Sequence, residues 1–98
     1  MTIEIKRSAQ STLVELVGRL DTITAPALDK MIREDIGESE HLVLDVKRLE
    51  YLSSAGLRVL LGAHKKLQKH GSMKVINVRE AVMEVLEMTG FADLLTIE

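Results

Sequence analysis

Two adjacent hydroxyls, Ser53 and Ser54, sit in the stretch YLSSAGL, between one apolar run ending HLVLDV and another beginning LRVLLGAH. Hydroxyls at such a junction suit three kinds of chemistry: an enzyme's nucleophile, the cap of a helix, or the acceptor of a group that another protein attaches. A serine-hydrolase elbow needs Gly-x-Ser-x-Gly, because both glycines relieve crowding at a strained strand-to-helix turn. Around Ser54 the order is Leu52-Ser53-Ser54-Ala55-Gly56, so the first glycine is missing. A general base is missing as well. Of the three histidines, His64 and His70 lie on the helix that Ser54 itself begins. His64 follows about ten residues on, roughly 15 Å away by helical rise and far beyond hydrogen-bond reach. His41 opens a strand with no carboxylate to pair it. The pattern supplies no catalytic residue.

The other two roles both fit. Serine is a preferred N-cap, worth about 1 kcal/mol, and one hydroxyl here needs no further function. Two serines followed by the small Ala55 and Gly56 exceed what a cap requires. Small residues are expected to leave the helix start uncovered and open to a visiting surface. Its free N–H groups and partial positive charge also tolerate an added phosphate.

The elements that position these residues follow from periodicity. TIEIKRS and TLVELVG alternate in period two around the turn-like AQS, which predicts a β-hairpin. Next, Thr24 is expected as an N-cap and Pro26 in a first helical turn. Ala25, Leu28, Ile32 and Ile36 then recur at helical spacing, and Gly37 closes the helix. HLVLDV reads as a strand covered on both faces or inside a sheet. Leu57, Leu60, Leu61, His64 and Leu67 share one face of a second helix that Gly71 stops. MKVINV is another strand, EAVMEVLEMTG a third helix with Val82, Val85 and Leu86 inward and Gly90 as its cap, and LLTI a further edge strand. Strands alternating with helices imply right-handed crossovers and a largely parallel sheet with an antiparallel hairpin at its edge. The fold class is α/β, one domain over residues 1–98.

Composition narrows the function. A chain of 98 residues with no cysteine has no disulfide, thiolate metal site or thiol catalysis. No apolar stretch approaches the ~18–20 residues that span a bilayer. A net charge of −2, with one Tyr and one Phe, argues against nucleic-acid binding and base stacking. A protein partner is expected. The basic HKKLQKHGSMK complements a helix C-terminus or offers an anionic partner a patch, and the acidic REDIGESE is solvated surface or a docking face. Met83 and Met88 are expected as core filler, and His64 as half-buried and no metal ligand.

LVLDVKRLEYLSSAGLRVLL, GRLDTITAPAL and INVREAVMEVLEMTGFADLLTI together resemble a STAS domain, and more narrowly the bacterial anti-sigma factor antagonists, over nearly the whole chain. The resemblance implies a (βα) superhelix with a mostly parallel sheet of four or five strands. It also implies a cytoplasmic, non-enzymatic protein without cofactor or metal that binds an anti-sigma factor serine kinase and so frees a sigma factor. Phosphorylation of one serine ends that binding, and a metal-dependent serine phosphatase restores it. The phosphoacceptor falls on Ser54. The family's usual Asp just ahead of it is here Ser53, which makes Ser53 the second candidate. Partner binding is carried to Asp21, Thr22, Ser53, Ser54, Ala55, Gly56 and Arg58. Asp21 is either partner-facing or a loop carboxylate capping the first helix. The alternative from another class is a STAS subunit of a transporter or lipid-trafficking complex, bound permanently to an ATPase and never phosphorylated.

Overall fold

In the computed structural model, which describes residues 1–9, 11–38 and 40–98, the hairpin is formed by β1 (Thr2–Arg7) and β2 (Thr12–Leu20). They pair antiparallel, from Thr2 opposite Val17 to Arg7 opposite Thr12. Gln10, within the expected AQS turn, lies outside the described residues. Helix α1 (Ala25–Asp35) crosses to β3 (His41–Leu52), α2 (Ser54–Leu67) to β4 (Ser72–Ile76), and α3 (Glu80–Met88) leads to a 3-10 turn at Phe91–Asp93. The sheet order is β1-β2-β3-β4, with every pair after the hairpin parallel. This is the α/β architecture that the alternation of elements predicts, with four strands.

One sheet face turns to the core. Val14, Leu16 and Leu20 of β2, Leu42, Leu44 and Val46 of β3, and Met73 and Val75 of β4 are buried, with half-buried or exposed residues between them. HLVLDV is therefore an interior strand buried on one face, the second of the two readings its sequence allows. The same cluster takes in Leu28 and Ile32 of α1, Leu57, Leu60 and Leu67 of α2, and Val82 and Leu86 of α3. His64 and Leu61 are half-buried, whereas Ala63 is buried.

Strand β3 runs six residues past the apolar run that marks it. Its pairing with β2 slips one residue between Glu15 and Val17 and again between Gly18 and Arg19. Each bulge adds a residue, so the inward positions change from every second residue to Val46, Leu49 and Leu52. The expected fifth strand is not formed. Leu95 turns into the core, and LLTI contributes only the bridge of Ile97 to Val75. Met83 packs against the core as expected, but Met88 is 87% exposed and is not core filler.

Two polar contacts lock the end of the sheet away from Ser54. Lys66, within the basic cluster, donates from Nζ to the Ile32 and Ile36 carbonyls at 2.8 and 2.5 Å. It thereby satisfies the open C-terminus of α1 with a cation, as the helix dipole favours. Glu40, at the end of the acidic run, is half-buried and bonded within the fold, so it is not free solvated surface. It accepts from the buried Thr12 hydroxyl at 2.6 Å, the Gly37 N–H at 3.0 Å and Arg7 at 3.1 Å. Gly71 is required beside it, since a Cβ there would lie 2.1 Å from the Glu40 carbonyl oxygen.

The Thr12 hydroxyl, foremost, with the Gly37 N–H and Arg7, holds the Glu40 carboxyl below its ordinary value of 4.5. A depressed carboxylate contributes stability above its unfolded-state value and loses it as pH falls through the folded-state value. Glu40→Gln is expected to cost about 1–2 kcal/mol near neutrality. In chemical denaturation at a series of pH values, its gap from wild type should close below pH 4.5. A gap that persists undiminished in acid would contradict this role.

Candidate functional site

The last pair of the β2–β3 ladder is Leu20 with Leu52, so the two chain segments that follow emerge side by side. The Ser53 N–H donates to the Leu20 carbonyl at 2.9 Å, tying the entry of α2 to the end of β2. Beyond Leu20 the chain turns through residues 21–24 into α1. The structure thus brings together the two stretches, GRLDT and LSSAG, that lie some thirty residues apart in sequence.

The two serines do different work. Ser53 has extended backbone angles (φ −96°, ψ 173°), and its Oγ accepts from the Gly56 N–H at 3.4 Å. Its carbonyl accepts the first helical bond, from Leu57 at 2.9 Å. It is the N-cap, half-buried. Ser54 is the first residue of α2 and is exposed. Asp caps as well as Ser does, so Ser53 fills the cap without placing a negative charge next to Ser54. No acidic residue stands in the first turn of α2. Arg58, exposed, lies one turn on from Ser54 and on the same helix face.

The small residues behind the serines also divide. Ala55 is half-buried, but Gly56 is buried and does not bare the helix to a partner. A Cβ at Gly56 would stand 2.7 Å from Leu20 Cγ and 2.8 Å from Leu52 Cδ1. Gly56 is there so that the helix start can press onto the last inward pair of the sheet.

Asp21 is used by its own loop. Its Oδ1 accepts from the N–H groups of Ile23 and Thr24, each at 3.0 Å, and its carbonyl accepts from Ala25 at 2.8 Å. Thr24 stands at the N-cap position of α1, as expected from sequence, but its side chain makes no capping bond toward the helix. Its Oγ1 instead accepts from the Asp21 N–H at 2.9 Å and donates to the Arg19 carbonyl at 2.7 Å. Asp21 and Thr24 thus exchange a reciprocal pair of bonds, of the capping-box kind, across the turn that leads into α1. The Thr24 N–H, foremost, with that of Ile23 and the nearby Arg19, holds the Asp21 carboxyl below its ordinary range. What the turn presents to solvent is Thr22, exposed, and Ile23, 87% exposed.

Ile23 and Tyr51 are two exposed apolar side chains, on the segments that meet at the start of α2, that sequence reasoning missed. Tyr51 is 41% exposed, and the Arg19 guanidinium stacks over its ring at 4.2 Å. The available signal was that Ile23 breaks the apolar stripe of Ala25, Leu28 and Ile32, which leaves it no place in the core. Among the described residues no group of three His, Asp or Glu side chains is arranged to hold a metal. Nor, among the described residues, is any helix long and apolar enough to cross a membrane.

This combination, a mostly parallel βα sheet with a capped hydroxyl pair at the start of its second helix, defines a class. The model of the STAS domain family matches residues 2–98, and the chain belongs to that family. Within it the chain is homologous to anti-sigma factor antagonists. It is 34% identical to the anti-sigma F factor antagonist of Paenibacillus polymyxa over 99% of this chain and 86% of that protein. The crystal structure of an anti-sigma factor antagonist from Mycobacterium paratuberculosis superposes with a TM-score of 0.87 at 28% identity, over 98% of this chain and 83% of that one. SpoIIAA, a Bacillus cell fate determinant solved in its phosphorylated form, shares the fold at a TM-score of 0.66 and 16% identity, over 99% and 91% of the two chains.

The division of labour at the helix start is testable by equilibrium unfolding. Ser53→Ala should lose about 1 kcal/mol while Ser53→Asp stays near wild type, as expected of a cap. Gly56→Ala should lose about 1–3 kcal/mol through overpacking against Leu20 and Leu52. Ser54→Ala, at an exposed position that accepts no capping bond, should stay within about 0.5 kcal/mol.

Proposed function

We propose that this protein is an anti-sigma factor antagonist whose binding to an anti-sigma factor serine kinase is switched off by phosphorylation of Ser54. The observation that carries the proposal is the asymmetry of the two hydroxyls: Ser53 is committed to the cap, and Ser54 stands exposed beside it. The name of the Paenibacillus relative and the phosphorylated form in which SpoIIAA is known support the same reading.

In the phosphorylating step, Ser54 Oγ attacks the γ-phosphorus of ATP held by the kinase. The Oγ–P bond forms, the bond from that phosphorus to the β–γ bridging oxygen breaks, and ADP leaves. The hydroxyl proton passes to a base on the kinase, and Mg²⁺ and nucleotide are the kinase's. The protein contributes position: an exposed nucleophile on a helix N-terminus whose N–H groups and dipole favour the arriving anion. Arg58, one turn on, adds a cation on the same face.

The phosphoserine adds about −1.5 to −2 charges and three acceptor oxygens. Its own helix end accommodates it, so nothing needs to unfold. Its effect falls on the docked complex, where it meets the kinase's anionic nucleotide across the interface. Like charges so placed cost several kcal/mol, and about 4 kcal/mol is roughly a thousandfold in affinity. A metal-dependent serine phosphatase, acting by hydrolysis of the Oγ–P ester, restores binding.

The test is phosphorylation and binding assayed with the source organism's purified anti-sigma factor kinase. Wild type and Ser54→Ala should bind alike, Ser54→Asp should bind at least tenfold more weakly, and labelled phosphate should enter wild type but not Ser54→Ala. Equal binding by all three, or phosphate found on Ser53, would overturn the proposal.

A further inference from the structure

A protein that must be held tightly and then released needs an apolar contribution to its interface. Polar contacts exchanged with water contribute little net affinity, and binding energy concentrates in a few apolar or aromatic anchors. The serine and the nucleotide facing it supply no such contribution. Six large apolar side chains are exposed among the described residues: Met1, Ile5, Ile23, Tyr51, Met88 and Leu94. Two of these, Ile23 and Tyr51, belong to the segments joined at the start of α2, since Tyr51 lies two residues before the Ser53 cap and Ile23 three beyond Leu20.

Ile23 is also pre-organised. Its own N–H is bonded to Asp21 Oδ1 at 3.0 Å, and the next residue, Thr24, is fixed by bonds to Asp21 and to the Arg19 carbonyl. A β-branched side chain has restricted rotamers, so a partner orders little when it takes up this residue, and the entropic cost of docking is reduced. Tyr51 is braced in a comparable way by the Arg19 guanidinium on its ring.

We infer that Ile23 is the apolar anchor of the interface, received by a nonpolar pocket on the anti-sigma factor kinase beside its nucleotide site, and that Asp21 is a positioning residue that holds Ile23 out. The inference rests on the function proposed above and deepens it. The contact contributes to binding whether or not Ser54 carries phosphate, so anchor and switch are separable. Asp21 then acts on binding only through the loop.

The experiment measures affinity for the purified kinase loaded with ADP, by calorimetry, for wild type, Ile23→Ala, Ile23→Val and Asp21→Asn, each with its thermal melt. Ile23→Ala should bind at least tenfold more weakly with an unchanged melting temperature, and Ile23→Val should recover most of the affinity. Asp21→Asn, which retains an acceptor oxygen for the loop N–H groups, should bind within about threefold of wild type. Ile23→Ala binding within twofold of wild type overturns the anchor. Asp21→Asn losing as much as Ile23→Ala, with an unchanged melt, overturns the positioning role in favour of direct contact. Absence of binding by wild type overturns the proposed function itself, and is read from the unmutated protein alone.

Discussion

The close approach of α2 to the last inward pair of the sheet is the constraint from which the site follows. With no side chain at Gly56, the helix start rests on Leu20 and Leu52, and the Ser53 N–H reaches the Leu20 carbonyl. That one junction fixes three things together. It sets where α2 begins, it places Ser54 outside the buried contact, and it holds the 21–24 turn beside the helix. A larger residue at position 56 would press on all three, because a Cβ there meets the buried side chains of Leu20 and Leu52.

The site is built from local polar bonds laid over that apolar junction. Ser53 caps α2 and Asp21 binds the turn that leads into α1. Both residues look chemically available in the sequence, and both are occupied internally. What remains facing outward is a hydroxyl at Ser54, a guanidinium at Arg58, and the apolar side chains of Ile23 and Tyr51. The arrangement is suited to recognition by another protein. It leaves an exposed hydroxyl and exposed apolar side chains on the two chain segments that the Ser53–Leu20 bond ties together.

Much of the fold was legible because helices and strands here keep their periods. The alternation of TLVELVG and the stripe of Leu28, Ile32 and Ile36 each correspond to observed buried faces. The second half of β3 was not legible, since two bulges change its inward spacing from two to three and KRLEYL then matches no strand pattern. The fifth strand failed for the opposite reason. LLTI has strand-like residues, but Leu95 is drawn into the core and leaves only one bridge to β4. At the site, the hydroxyl pair and its helix were readable from residue type. The burial of Gly56 was not, because it depends on Leu20 and Leu52, brought against the helix start only by the tertiary structure, and the exposure of Ile23 showed only as a break in the apolar stripe of α1.

The central claim is that one phosphate on Ser54 changes docking without changing the fold. Its most direct measurement compares protein phosphorylated stoichiometrically at Ser54 with unmodified protein, by titration against the nucleotide-loaded kinase and by thermal melting in the same buffer. The account predicts an affinity lower by roughly a thousandfold, equivalent to about 4 kcal/mol, together with a melting temperature that is unchanged or raised by the phosphate at the helix N-terminus. Undiminished affinity, or a loss of affinity accompanied by a marked fall in melting temperature, would contradict it.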